Sequence, residues 1–501
     1  MLEFWRNPEF IRHARAELRP PRAITAGLLA LVICALVALA CWSSMKNDLN
    51  DLFKVLHGWL LGIQFTVLSF WCASTCGQAI SRERELKTYD FLKTTRLTSA
   101  ELMIGKVLGA PIMGYFVVGC SLPISVLAGL LGGYGLGTLL FAYALLLVSS
   151  LFLSLLGLWI SMLTEKSSLA AVALLALFPV SLSFGFAYSR FPGFGALSIF
   201  PAVFTLYKVN AEMLRVKPTL FGMTTSFGAL TLLLYAAFGA WLVLMLVRNL
   251  KKDREQVRLL SRWQAVGFAA FLNVLFYAFL DPNLLTGKGH NTARPEEIAT
   301  LLVALNGSIL FLVGLATLTP HEQLKAWWRR RRAREEGYFS ESGLPWPWLV
   351  ASALVAYGLL LAEALGLRSA ITLDRWHLGT AAIQLTVLLV FTARDILFLQ
   401  WCALTAMKRP LVKGFLYLCL YYIAVTIFSG VASAYHSSAG VFIMQLLTPW
   451  GAFIGQDRAL TAQAGVWVGI GLQLLLIVMV LKVVTLRLER PATIRAEVAA
   501  A

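Results

Sequence analysis

Leu136-Gly-Thr-Leu-Leu-Phe-Ala-Tyr-Ala-Leu-Leu-Leu-Val-Ser-Ser-Leu-Phe-Leu-Ser-Leu-Leu-Gly-Leu-Trp-Ile-Ser-Met-Leu163 runs from one polar flank to the next without a charged side chain. A helix rising about 1.5 Å per residue needs about 20 such residues to cross roughly 30 Å of hydrocarbon. A soluble core needs no run of that length. In lipid the backbone must satisfy its own hydrogen bonds, so the run is read as a helix. Barrel strands would alternate over about ten residues, and no such alternation is present. Comparable runs occur at 23–42, 57–80, 106–131, 136–163, 168–188, 220–247, 263–280, 297–318, 346–366, 377–400, 411–435 and 464–484. The fold class expected is therefore an all-α polytopic membrane protein with about twelve transmembrane helices. The weakest run is 263–280, and 106–131 nearly merges with 136–163. The composition agrees: 58% of the 501 residues are hydrophobic and 14% charged, against roughly 45–50% and 25% in soluble domains.

The net charge of +17 raises the question of nucleic acid, and its distribution answers it. With the N-terminus inside, Lys and Arg favour the inner loops by roughly three to one. The basic charge is thus read as topology, with both termini cytoplasmic, and nucleic acid is not an expected partner. Attraction to anionic lipid follows from the same charge. The seven cysteines (34, 41, 72, 76, 120, 402 and 419) lie in or beside the runs, which implies no disulfide framework. Cys72 and Cys76 share a helix face, but no His or third Cys accompanies them, so they are read as packing residues and no metal site is expected. Val37-Ala-Leu-Ala-Cys41 is a poor lipoprotein signal, and the first span is read as uncleaved.

Ahead of that span, Phe10, Ala14 and Leu18 recur at helical spacing with Ile11 beside them, while Arg12, Arg15 and Arg19 share another face. Residues 1–22 are accordingly read as a cytoplasmic, interfacial amphipathic helix stopped by Pro20-Pro21. The expected division continues with a first six-helix half at 23–262, carrying a cytoplasmic hairpin at 81–106, and a second half of about six helices at 263–501.

The hairpin is Ser81-Arg-Glu-Arg-Glu-Leu-Lys-Thr-Tyr-Asp-Phe-Leu-Lys-Thr-Thr-Arg-Leu-Thr-Ser-Ala-Glu-Leu-Met-Ile-Gly105-Lys106. Leu86, Tyr89 or Asp90, and Lys93 advance by helical turns, and Phe91-Leu92 supplies an apolar anchor. Thr98-Ser-Ala-Glu101 has the capping-box pattern and should start a helix that runs straight into the third span. So structured a charged segment is read as a docking surface.

This segment resembles the corresponding region of the permease subunits of type-II ABC transporters. The positions that fit the family's pattern are Arg82, Glu83, Glu85, Thr88, Leu92, Thr95, Leu97, Gly105 and Lys106. Arg96 departs from it, where many members carry proline. The close resemblance covers roughly residues 1–250. It implies a cytoplasmic ATPase subunit docked on the hairpin through charged contacts at Arg82, Glu83 and Glu85, with Phe91 and Leu92 anchoring the hairpin in its own subunit. It also implies ATP and magnesium on that partner, no cofactor in this chain, and a pore built from one chain or from two permease copies. The setting implied is a bacterial cytoplasmic (inner) membrane.

The remaining motifs add less. His57…Ile63-Gln-Phe-Thr-Val-Leu68 recurs as His377…Ile383-Gln-Leu-Thr-Val-Leu388, which suits either duplication or chance. Pro320-His-Glu-Gln-Leu-Lys-Ala-Trp-Trp-Arg-Arg-Arg-Arg-Ala-Arg334 reads as a second docking element or as an inner flank with interfacial tryptophans. The outer loop Arg190–Lys217, with Phe191-Pro-Gly-Phe-Gly195, is an ordinary loop or a short re-entrant element. Glu363 falls at the outer interface, and Arg394-Asp395 should snorkel to the inner side. No Walker A motif is present: Gly105-Lys106 is followed by Val107 and has Ala100 in place of the leading glycine. No zinc-protease helix or serine elbow occurs either. The leading expectation is a non-enzymatic permease subunit of an ATP-driven exporter. The alternatives are a membrane-embedded transferase using outer acidic residues such as Asp281, Glu296, Glu297 or Asp374, and an ion-coupled carrier, which would need broken polar helices.

Overall fold

The computed structural model describes residues 6–44, 48–164, 192–208, 217–221, 223–252, 260–279, 295–366, 375–405, 410–435, 437–453 and 464–489. The expected span 168–188 lies outside them, as do Phe191, Asp281, Asp374 and the side chains of Glu296, Glu297 and Glu363. Contacts divide the chain into two units, Met1–Leu259 and Leu260–Ala501.

In the first unit α1 (Pro8–Glu17) is opened by Asn7, whose Oδ1 accepts the N–H groups of Glu9 at 3.0 Å and Phe10 at 3.4 Å. The helix stops ahead of the Pro20-Pro21 pair, and that pair begins α2 (Pro20–Ser44). A proline in the first turn has no intrahelical N–H bond to lose. The second span starts before residue 57 because Asp48 caps α3 (Leu49–Thr66). A π-helical turn, Val67–Trp71, then leads into α4 (Cys72–Gln78). Such turns disturb the regular ladder, and here the Leu68 carbonyl accepts from Ser150 Oγ at 3.2 Å.

The hairpin follows as α5 (Ser81–Glu85), α6 (Tyr89–Thr94) and α7 (Ser99–Gly109). The helix begun at α7 does not run straight into the third span. It breaks at Ala110-Pro111 and resumes as α8 (Ile112–Leu131). Proline has no N–H for the Val107 carbonyl, which instead lies 3.9 Å from the Cys76 thiol.

The long α9 (Leu136–Leu163) packs tightly on α4. A Cβ at Gly157 would collide with the Ala73 carbonyl. Lipid gives helices little hydrophobic drive to associate, so such close backbone approach matters. The unit is completed by α10 (Pro192–Gly195), α11 (Ile199–Leu206), a small antiparallel pair β1 (Thr219–Leu220) and β2 (Met223–Thr224), and α12 (Phe227–Asn249).

The second unit comprises α13 (Arg262–Ala278), α14 (Pro295–Ala316), α15 (His321–Arg332), α16 (Trp346–Gly366), α17 (Arg375–Ala403), α18 (Pro410–Tyr435), α19 (Ser437–Leu447) and α20 (Ala464–Glu489). Arg394 and Asp395 do not snorkel but are buried within this unit. Arg394 donates to Asp395 at 2.6 Å, Gln473 at 2.8 Å and the Tyr422 hydroxyl at 3.0 Å, and Tyr422 donates to Asp395 at 2.5 Å. With partners supplied by α18 and α20, the pair has no need of water.

Among the described residues eight helices are long and apolar enough to cross a membrane, and two shorter apolar helices are Leu305–Ala316 and Ser438–Leu447. The chain is an all-α polytopic membrane protein.

Candidate functional site

The hairpin hangs from the ends of three helices. Where α4 runs out, the N–H groups of Ile80 and Ser81 both donate to Ser161 Oγ on α9 at 3.0 Å. Arg84 donates to the Met162 carbonyl at 2.7 Å, in the last turn of α9, where a cation complements the helix dipole. Its guanidinium also lies 4.9 Å from the centre of the Tyr89 ring. The Tyr89 hydroxyl donates to the Leu250 carbonyl at the end of α12, and Lys251 donates to the Thr95 carbonyl at 2.9 Å. Burial pushes the Tyr89 phenol above its ordinary value.

One apolar cluster joins these parts: Ile80, Tyr89, Leu92, Leu102, Val107, Leu158, Met162 and Leu246. Leu92 is an anchor, as expected, but Phe91 is not. Phe91 is 74% exposed and Leu86 64%, while Tyr89 is buried in their stead. Lys87 explains the change. It adopts φ 57° and ends α5 with a Schellman closure, Thr88 N–H to Glu83 O at 2.9 Å and Lys87 N–H to Arg84 O at 3.0 Å. The resulting turn resets which face of α6 points inward.

At the start of α7, Thr98 and Glu101 exchange side-chain and backbone hydrogen bonds in a capping box. The backbone bond from Thr98 holds the Glu101 carboxyl below its ordinary value. Farther along, Gly105 and Gly109 seat α1. A Cβ at Gly105 would come within 2.7 Å of Glu9 Cβ, and one at Gly109 within 3.0 Å of His13 Cβ.

The close seat brings four charges together. Lys106, fully buried, donates to Glu83 at 2.7 Å and Glu9 at 3.1 Å. Arg12 donates to the same two carboxylates at 2.8 and 2.7 Å. Two cations and two anions thus balance where α1, α5 and α7 meet. Burial alone would push the Glu9 carboxyl up. Hydrogen bonding from His13 and the charges of Lys106 and Arg12 outweigh it and hold the group down at about 2. For Arg12, burial opposes the charged form, but Glu83 and Glu9 more than offset it and raise the guanidinium above its ordinary value.

The expected site residues therefore separate into two sets. Glu83, Gly105 and Lys106 face inward and lock the hairpin to α1, so Glu83 is not an outward contact. Leu92 and Thr95 are structural, and Thr95 Oγ1 donates to the Leu92 carbonyl at 2.7 Å. Arg82, Glu85, Thr88 and Phe91 are exposed and Leu97 is half-buried. On the N-terminal helix Phe10, Ile11 and Leu18 are half-buried, and Arg12, Arg15 and Arg19 are exposed. Sequence reasoning missed Asn7, Glu9, Tyr89 and Ser161. Two of them carried a local signal: Asn7, as an N-cap type ahead of Pro8, and Tyr89, as one of two residues offered at one helical turn of the hairpin.

No curated protein and no solved structure matches the chain. A family model described as ABC-2 type transporter does match, over residues 4–196. That stretch holds α1, the whole hairpin and the spans on either side of it, and over it the chain is similar to ABC-2 type transporters.

Proposed function

We propose that the chain is the transmembrane permease subunit of an ATP-driven exporter in a bacterial cytoplasmic membrane, crossing about twelve times with both termini inside. A separate cytoplasmic ATPase holds ATP and magnesium and docks on the hairpin. The observation that carries this reading is the exposure of Leu86 and Phe91 on a segment otherwise charged at its surface. An apolar knob rimmed by Arg82, Glu85 and Asp90 has the layout of an interface core with a polar rim. Behind the knob, Ser161, Met162, Leu250 and the Lys106 quartet tie the hairpin to α9, α12 and α1. A push on the knob is thereby delivered to several helices at once.

The test is purification of the full chain from its native membrane in mild detergent. A P-loop ATPase is expected to accompany the natural chain and to be lost from the Leu86→Glu, Phe91→Glu double variant, with thermal unfolding unchanged. A natural chain that purifies without an ATPase overturns the exporter reading. An ATPase retained by the variant overturns the docking surface alone.

A further inference from the structure

Along one face of α3, from Lys54 to Phe65, lies an apolar cavity of about 400 Å³. The eleven helical rises between these residues make it about 16 Å long, and its volume is within the usual range for a ligand pocket. Phe200 and Phe204 of α11 form the facing wall, and Gly58 and Gly62 form the floor.

These two glycines differ from Gly105, Gly109 and Gly157, where a neighbouring group occupies the space a Cβ would take. At Gly58 and Gly62 nothing lies within 4 Å of an added Cβ. Glycine weakens a helix interior, and here close helix packing does not compensate; its effect is to keep the groove open. The polar end is fixed. His57 is fully buried, with Nδ1 2.8 Å from the Ser125 carbonyl and Nε2 2.8 Å from the Tyr207 hydroxyl, so it holds α3 to α8 and to the end of α11. Lys54 stands at the rim, paired at 2.9 Å with Asp51 in an exposed contact of the kind that exchanges readily for another anion. Trp59, on the same helix, is exposed, as a bilayer-facing side chain would be.

We propose that this groove holds an acyl chain of an anionic bilayer phospholipid, with its phosphate at Lys54. An apolar trough complements the acyl chain in shape, and the Lys54 ammonium at its rim complements the phosphate once it exchanges Asp51 for it. A zwitterionic lipid brings its own cation to the same place and gains less.

The experiment is native mass spectrometry of the full chain in detergent, titrated with palmitoyl-oleoyl phosphatidylglycerol or the matching phosphatidylcholine. The natural chain is expected to retain phosphatidylglycerol preferentially. Gly58→Leu with Gly62→Leu should weaken that retention about tenfold, and Gly119→Leu, an equally open glycine on α8 outside the groove, should leave it unchanged. Lys54→Gln should abolish the preference for phosphatidylglycerol over phosphatidylcholine. If the leucine pair prevents folding, the alanine pair replaces it, with a smaller loss expected. Undiminished retention in the filled groove, or equal retention of both lipids by the natural chain, would overturn the proposal.

Discussion

Two polar segments punctuate the apolar helices, Ser81–Gly109 in the first unit and Pro320–Pro345 in the second, and they are built differently. Both close a helix with a cationic residue in the left-handed region. Lys87 has φ 57° and Arg334 φ 61°, and the Glu335 N–H returns to the Arg330 carbonyl at 3.0 Å. The first segment is locked by four balanced charges and leaves Leu86 and Phe91 uncovered. The second buries Trp327 and Leu324 against Leu344, Leu404, Val484 and Leu488. It is pinned by Arg262, whose guanidinium donates to the carbonyls of Thr317 and Ser340 at 2.8 Å and of Gly343 at 2.7 Å.

Its exposed aromatics are also engaged. Phe339 stacks on Trp263 and meets Trp348 edge-on, and Arg331 lies 4.1 Å over Tyr338. An arginine-rich, tryptophan-rich element of that kind suits a membrane interface, whereas the first segment presents its apolar side chains outward. Charge content alone does not separate the two segments; where their apolar side chains point does.

The comparison can be broken in order of expected effect. Lys106→Met leaves Glu9 and Glu83 facing each other at a buried junction. It should cost about 3–5 kcal/mol in thermal unfolding, and Glu9→Gln with Glu83→Gln should restore much of that loss. Acid loosens the same junction by degrees. The stability Glu9 contributes is fully present above its ordinary value of 4.5 and is lost as pH falls toward about 2. Limited proteolysis of α1 should therefore rise over that range in the natural chain and show no such rise in Glu9→Gln. The Arg262 guanidinium bonds to backbone carbonyls, which do not titrate there, so those contacts of the second segment should hold. Arg262→Lys, which loses the planar fork, should cost about 2–3 kcal/mol, read from protease sensitivity of residues 320–345. The shared feature gives the smallest change: Lys87→Gly and Arg334→Gly should each stabilise by no more than about 1 kcal/mol.

Much of this was readable in advance. The apolar runs dictate the helices, and Thr98 with Glu101 announces the start of α7 within four positions. The break at Pro111 was not read in advance, and proline alone does not mark it, since Pro123 of the same expected span lies inside the unbroken α8. What could not be read depends on distance or on a turn. Glu9 and Lys106 are 97 positions apart, and no local periodicity encodes that pairing. The choice of Tyr89 over Phe91 as anchor follows from the left-handed turn at Lys87, a residue type that gives no hint of it. Arg394 and Asp395 were visible as charges, but the tyrosines and glutamine that keep them inside come from α18 and α20.

The most direct test is photocrosslinking in native membranes from a benzoyl-phenylalanine placed at Phe91 and, in a parallel chain, at Phe339. Capture of a P-loop ATPase from position 91 and not from position 339 is the predicted result. Capture from position 339 with none from position 91 would contradict the assignment of the docking surface to the first unit.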